Sequence, residues 1–211
     1  MNGKEGGKVP LPSKMYTKPV DVNQPHLFGH KPAAKPGVSY EPLQWNEFFD
    51  SVENINETIP LYVAGDKGHV FLCMHGAGHS ALSFGALAKY LKISSTVAAF
   101  DFRGHGRHFT ENETDMSEET LVNEAISVIR YVCQKFSEAS IILVGHSMGG
   151  SIATKATAKV LADFYTEEWH KQIQGLFVID VVEGSAMDAL PFMENIVLSR
   201  PAEFKTLQSV V

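Results

Sequence analysis

Short apolar runs alternate along the chain with segments whose apolar residues have the spacing of a helix. The runs are nearly continuous and lie at residues 69–74, 96–101, 141–144 and 176–179. Runs of this kind are typical of strands that are buried on both faces of a parallel sheet. The segments with helical spacing lie at 81–91, 121–136 and 151–160. We therefore predict an α/β fold, with a mostly parallel sheet and helices on both of its faces.

The region before the first of these runs has a different pattern. Trp45, Phe48 and Phe49 have helical spacing, which predicts a short helix pinned to the core by aromatic side chains. Residues 50–63 predict the first strands, which we expect to be antiparallel, with a turn near residues 66–68. The folded domain therefore begins just before this short helix.

The first 40 residues differ in composition from the rest of the chain. Lysine and proline alternate there, with prolines at positions 10, 12, 19, 25, 32 and 36. Such a segment buries too little apolar surface to offset the entropy lost on ordering it. We therefore predict a disordered or extended Lys/Pro-rich arm over 1–40 and a folded domain over 41–211. A docking segment for a partner is the alternative interpretation of the arm.

The composition excludes several classes of function. Of the 211 residues 44% are apolar, and a net charge of −6 without a basic cluster argues against nucleic-acid binding. No apolar run approaches the roughly 18 residues of a membrane span, and the N-terminus lacks the apolar core of a signal peptide. Two cysteines, Cys73 and Cys133, are too few for a disulfide framework. We expect buried, reduced thiols in a protein of the cytoplasm or nucleus that binds neither membrane nor nucleic acid.

One apolar run leads directly into a sequence that indicates a chemical function. Residues 145–149 read Gly-His-Ser-Met-Gly, between the strand predicted at 141–144 and the helix predicted at 151–160. This matches the G-x-S-x-G nucleophile elbow, in which a tight turn holds a strained serine with its hydroxyl exposed at the edge of the sheet. The order of strand, turn and helix therefore indicates that Ser147 is a nucleophile rather than a structural turn serine.

A glycine-rich loop, HGAGH at residues 75–79, follows the strand predicted at 69–74. In α/β-hydrolases the loop at this position and the residue after the nucleophile each supply one amide of the oxyanion hole. Here the loop donor is predicted to be Ala77 or Gly78, and the other donor Met148. The two histidines of the loop lack a third ligand at a recognisable spacing, so we predict no metal site.

Two aspartates lie at the ends of predicted strands. Asp101 begins the sequence Asp-Phe-Arg-Gly-His-Gly, which resembles a turn common in α/β-hydrolases, and we expect Asp101 and Arg103 to brace the nearby loops. Asp180 ends the last predicted strand, and open α/β sheets place their ligands at the carboxyl ends of strands. Asp180 is therefore our candidate for the carboxylate that orients a catalytic histidine. Glu183, Asp188 and a purely structural role for Asp180 are the alternatives.

No histidine lies where this chemistry requires one. In this fold class the order along the chain is serine, acid, histidine, and no histidine follows Asp180. His170 comes before the acid, in the segment 162–174, which we predict to be a surface helix and loop. We expect His146 to point away from the nucleophile and His75 to be structural. The catalytic histidine is therefore not present in this chain, and we predict an incomplete hydrolase domain whose C-terminal strands are missing.

Two segments resemble one known family. They are LVGHSMGG at residues 143–150 and the more specific run IDVVEGSAMDAL at 179–190, and both are similar to protein phosphatase methylesterases. The loop at 75–83 and the tail at 200–205 fit this family as well. The resemblance extends from about residue 40 to the end of the chain and does not include the Lys/Pro-rich arm.

The resemblance implies an α/β-hydrolase that removes the methyl ester from the C-terminal leucine of the protein phosphatase 2A catalytic subunit, without a cofactor. It implies that Ser147 is the nucleophile and Asp180 the triad acid, and it places the catalytic histidine in a C-terminal section that this chain lacks. The family has a third glycine where this chain has Ala77, whose methyl group is tolerated if its φ is negative.

Two other functions fit the same residues. A serine hydrolase of another specificity, such as a small-ester esterase, a thioesterase or a lipase, has the same elbow. A catalytically incomplete module that binds the phosphatase without demethylating it fits the absent histidine. Release of methanol from a methylated, leucine-terminated peptide distinguishes the methylesterase from both.

Overall fold

A computed structural model describes residues 43–180 and 183–199 of the chain. The Lys/Pro-rich arm predicted over 1–40 and the tail at 200–205 lie outside the described residues.

The described residues alternate between strands and helices, as the apolar pattern predicts. The strands are β1 (Ser51–Ile55), β2 (Ile59–Ala64), β3 (Val70–Met74), β4 (Thr96–Phe100), β5 (Ile141–His146) and β6 (Ile173–Ile179). The α-helices are α1 (Gly85–Leu91), α2 (Glu118–Lys135), α3 (Met148–Asp163) and α4 (Glu183–Leu198). Short 3₁₀ helices form at Trp45–Glu47, Ala81–Phe84 and Glu168–Gln172. The helix predicted at 81–91 is therefore a 3₁₀ turn that continues into α1.

The six strands form one mixed sheet in the order β1-β2-β4-β3-β5-β6. The pairs β1–β2 and β2–β4 are antiparallel, and β4, β3, β5 and β6 run parallel to one another. This confirms the predicted α/β class, with antiparallel strands first and a mostly parallel sheet after them. The register pairs Met74 with Gly145 and His146 with Ile179, so the loops that follow β3, β5 and β6 leave the sheet at one edge.

Each face of the sheet carries its own apolar core, because successive side chains of a strand point to opposite faces. Along β3, Leu72 belongs to the core that α2 and α3 cover, and Cys73 belongs to the core that α1 and Phe49 cover. Both residues are completely buried. The prediction of helices on both faces is thereby confirmed.

The two cysteines are buried on opposite faces of the sheet and are not bonded to each other. Burial raises the pKa of the Cys133 thiol to about 12 and also raises the pKa of Cys73, because the apolar surroundings disfavour the thiolate. Both side chains therefore act as small apolar core groups.

Two of the predictions about burial are wrong. The apolar run at 176–179 was expected to be buried, but Phe177 and Val178 in β6 are 61% and 46% exposed. Among the described residues β6 is an edge strand with only β5 beside it, so the neighbours that would cover it are absent from this part of the chain. Conversely, the segment 162–174 was expected to lie at the surface, but its Trp169 is buried. The ring of Trp169 packs against that of Phe164, with centroids 5.8 Å apart.

Candidate active site

Ser147 is the single residue that separates β5 from α3, and its backbone is strained. Its φ of +51° and ψ of −119° lie in a region that residues with a side chain rarely adopt, and holding such a conformation costs on the order of 1–3 kcal/mol. The Ser147 amide donates a hydrogen bond of 2.9 Å to the carbonyl of Ile179 in β6. The predicted strand, turn and helix are present, and the serine is partly exposed at the carboxyl edge of the sheet.

Two glycines let the start of α3 pack directly against the sheet. A methyl group at Gly145 would lie 2.4 Å from the carbonyl oxygen of Gly149, and one at Gly149 would lie 2.2 Å from the carbonyl oxygen of Met74. Both contacts are far shorter than van der Waals distance and involve backbone atoms that cannot move aside. The motif's glycines therefore set how closely helix and strands approach, and with it the position of Ser147.

The loop after β3 lies against the elbow. A methyl group at Gly76 would come within 3.2 Å of Cβ of Ser147 and 2.9 Å of Nδ1 of His146. The loop forms a tight turn in which the amide of His79 donates to the carbonyl of Gly76 at 3.1 Å, and Gly78 has a φ of +73°. Positive φ at the third position of a β-turn is the reason that glycine is preferred there.

The three predicted oxyanion donors differ in what their amides contact. Met148 is the first residue of α3, and the first amides of a helix have no partner within it. Gly78 donates its amide hydrogen to Nε2 of His105 at 2.9 Å. Within 43–180 and 183–199, no acceptor is bonded to the amide of Ala77. The geometry therefore favours Ala77 and Met148 as the pair, and the oxyanion role of all three residues stays a prediction.

Asp180 lies beside Ser147 because of the sheet register. His146 pairs with Ile179, so Ser147 and Asp180 are the next residues along two neighbouring parallel strands, which are about 4.8 Å apart. Asp180 is exposed, and its φ of +54° turns the chain sharply at the end of β6. Asp188 is exposed in α4, and Glu183 is the first residue of that helix. The role of Asp180 as triad acid stays a prediction.

His75 is completely buried, and both of its ring nitrogens are used. Nδ1 lies 2.8 Å from the carbonyl of Gly76, to which it donates, and Nε2 accepts the amide hydrogen of Phe102 at 3.0 Å. Burial lowers the pKa of His75 from 6.5 to about 4, and the nearby rings of His105 and His79 add to this effect, although the bond to Gly76 opposes it. His75 is therefore neutral and structural, and it cannot take a proton from Ser147.

The other histidines near the sheet edge are also occupied elsewhere. The ring of His146 stacks on that of His79, with centroids 5.4 Å apart and planes inclined by 18°. His170 lies just before β6, at the amino end of a strand whose seven residues span about 20 Å. Ser147 lies at the carboxyl end. In the part of the chain that the structure describes, no histidine accepts a hydrogen bond from the Ser147 hydroxyl.

The turn that begins at Asp101 braces the loop after β3, as expected. The buried Asp101 carboxylate accepts amide hydrogens from Ala81 at 2.7 Å and from Arg107 at 2.9 Å. Arg103 binds the Glu124 carboxylate of α2 through Nε at 2.8 Å. His105 lies in the same turn and was not predicted to have a role, although the Gly-His-Gly sequence around it is a signal that could have identified it.

Neither a metal site nor a membrane span is found in the described ranges. Their His, Cys, Asp and Glu side chains do not form a group of three that could hold a metal ion. Similarly, the helices within these ranges do not combine the length and the apolar character needed to cross a bilayer.

Comparisons with known proteins agree with this geometry. Residues 65–173 match the family model described as serine aminopeptidase, S33. Protein phosphatase methylesterase 1 of Mus musculus is 34% identical over 181 residues, which cover 82% of this chain and 45% of that protein. The enzyme of the same name from Schizosaccharomyces pombe is 37% identical over 182 residues, covering 79% of this chain and 51% of that protein. The chain therefore spans about half the length of the curated relatives that it matches.

The chain is also similar to a solved structure in both fold and sequence. It is E-2-(acetamidomethylene)succinate hydrolase, with a TM-score of 0.51 and 27% identity. The match covers 65% of this chain and 47% of that one.

Proposed function

The chain belongs to the serine aminopeptidase S33 family of α/β-hydrolases, and on that premise we propose that it carries the nucleophile and the triad acid of a serine esterase. The observation that supports this most directly is Ser147, held at a φ of +51° with Gly76 packed against it. Strain of this kind persists only where the surrounding structure enforces it, and such residues cluster at active sites.

We propose a protein methyl ester as the substrate. The relatives that cover most of the chain are named protein phosphatase methylesterases. We infer that the partner is a protein phosphatase, specifically the catalytic subunit of protein phosphatase 2A, whose C-terminal leucine methyl ester is hydrolysed. We also place the protein in the cytoplasm or nucleus, since both thiols are unpaired and buried.

The proposed reaction uses the residues at the carboxyl edge of the sheet. Ser147 Oγ attacks the ester carbonyl carbon, and the resulting oxyanion is stabilised by the amides of Met148 and Ala77. Collapse of this intermediate breaks the bond to the methoxy group, which leaves as methanol with the proton from the serine. Water then attacks the acyl-enzyme and releases the free carboxylate, which restores the Ser147 hydroxyl. Asp180 would orient the base that moves these protons, a place that no histidine among the described residues fills. No cofactor is required.

The first test is the reactivity of Ser147. The 211-residue chain is treated with a fluorophosphonate, and the labelled site is found by mass spectrometry. Methanol release is measured from a peptide that ends in leucine methyl ester. We expect labelling at Ser147 and its loss in Ser147→Ala, whereas Asp188→Asn, which changes an exposed carboxylate of α4, should label as the unmodified chain does. Hydrolysis of small generic esters without methanol release from the peptide would favour an esterase or thioesterase of another specificity.

A second function is favoured by one observation, which is that no histidine among the described residues is bonded to the Ser147 hydroxyl. A serine without a base is a weak nucleophile. The chain would then be a module that binds the phosphatase without demethylating it. This alternative predicts that Ser147→Ala binds the phosphatase as tightly as the unmodified chain while neither shows turnover. Turnover by the unmodified chain would refute it.

A further inference from the structure

His105 connects two loops at the candidate site, and its hydrogen bonds fix its tautomer. Nδ1 lies 2.9 Å from the carbonyl oxygen of Arg103, which can only accept, so Nδ1 carries the proton. Nε2 is therefore an acceptor, and the amide of Gly78 donates to it at 2.9 Å. The same imidazole thus holds its own turn with one nitrogen and the loop after β3 with the other.

We propose that His105 is a positioning residue that holds the amide of Gly78 and so leaves the amide of Ala77 as the loop's oxyanion donor. The use of that donor depends on the proposed esterase function. The hydrogen bond that selects it does not depend on that function, and it can be tested separately.

The orientation of Ala77 follows from the two peptide groups that flank it. In a trans peptide the carbonyl and the following amide point in opposite directions. The Gly76 carbonyl is bonded to the His79 amide and to Nδ1 of His75, so the Ala77 amide points away from both of these donors. On the other side, the bond to His105 fixes the peptide between Ala77 and Gly78.

Without that second bond, this peptide could rotate. Gly78 has no side chain to restrict it, and a methyl group built there meets no atom within 4 Å, so packing at Gly78 itself does not hold this peptide in place. Hydrogen bonds must do so instead. His105 is well placed for this because its ring packs against the buried ring of His75, with centroids 5.1 Å apart.

The turn that begins at Asp101 therefore holds the loop at two points. Asp101 binds the amide of Ala81 at the loop's end, and His105 binds the amide of Gly78 at its tip. The Asp101 carboxylate lies so close to Gly106 that a methyl group there would be 2.2 Å from Oδ2. Gly106 is thus required for the compact turn that presents His105 to the loop.

The experiment measures the hydrogen bond first. In the 211-residue chain labelled with ¹⁵N, we expect His105 Nε2 to be unprotonated at pH 7.5 and the Gly78 amide to exchange slowly with solvent. In His105→Phe, which keeps a ring but has no acceptor, exchange at Gly78 should accelerate by about tenfold or more. His105→Gln can offer an oxygen near the position of Nε2 and should restore part of the protection. The matched control is His69→Phe, which changes an exposed histidine beside the opposite end of β3.

The second readout is binding of a peptide boronate, which forms a tetrahedral adduct with the nucleophilic serine. We expect His105→Phe to weaken this binding by about tenfold, and His105→Gln to retain most of it. Unchanged Gly78 exchange in a folded His105→Phe would overturn the proposal, as would a protonated Nε2 in the unmodified chain, which can be measured even if the variant does not fold. Absence of boronate binding by the unmodified chain would count against the esterase function, while the exchange data would still decide the role of His105.

Discussion

At the scale of the residue, buried His75 makes the stability of the fold depend on pH. The folded structure uses only its neutral form, because Nε2 must accept a hydrogen bond from the amide of Phe102. Burial lowers its pKa to about 4 from the ordinary 6.5. The unfolded chain therefore binds more protons between these two values than the folded chain does. The stability that His75 contributes is complete above pH 6.5 and is lost as the pH falls towards 4.

We predict that this loss is on the order of 3 kcal/mol in the free energy of unfolding. Urea unfolding at pH 7 and at pH 4.5 measures it, with His75→Gln as the control, because an amide can accept from Phe102 without titrating. The variant should be less stable at pH 7 but should lose less stability on acidification. Parallel pH profiles for the two proteins would show that other groups control the acid sensitivity.

The positions of Ser147 and Asp180 could be predicted from the sequence, whereas the contact made by His105 could not. The elbow around Ser147 was predictable because a strained turn between strand and helix has its own glycine pattern. The position of Asp180 was predictable because parallel strands end at one edge. The bond between His105 and Gly78 joins residues 27 positions apart. No periodicity or local motif reports such a contact.

At the scale of the element, the closeness of α3 to β3 and β5 determines where Ser147 lies. We predict that Gly149→Ala destabilises the fold by about 3 kcal/mol, because its methyl group would overlap the backbone of Met74. Gly175→Ala in β6 is the matched control, since its nearest contact would be an ordinary 3.7 Å from a side chain of Ile142. Urea unfolding of both variants provides the comparison. Equal stability of the two variants would mean that α3 can move away from the sheet without a loss of stability.

The extents of the elements followed from the sequence more reliably than their burial did. The apolar runs at 69–74, 96–101 and 141–144 correspond closely to β3, β4 and β5. The run at 176–179 does form part of β6, but its burial was predicted wrongly. Apolar sequence reports which residues can be buried, whereas actual burial depends on neighbours, and beside β6 the described residues supply only β5.

At the scale of the whole molecule, the exposed apolar surface of β6 should affect behaviour in solution. Phe177 and Val178 point to opposite faces of the strand, and both are exposed. Uncovered apolar edge strands promote association between chains. We predict that Phe177→Lys reduces self-association of the 211-residue chain, while Tyr90→Lys in α1, whose side chain is even more exposed, does not. Light scattering over a range of protein concentrations measures this, and equal scattering by both variants would refute the role of β6.

The strand order also determines how long β3 lacks one of its two partner strands during synthesis. Val70 in β3 pairs with Thr96 on one side and with Ile141 on the other. Translation at 5–20 residues per second separates β3 from β5 by roughly 4–14 seconds. For that time one edge of an apolar central strand has no native partner, and chaperones can bind it. Because the Ser147 amide also needs the carbonyl of Ile179 in β6, Ser147 reaches its position only after nearly all of the described fold has been synthesised.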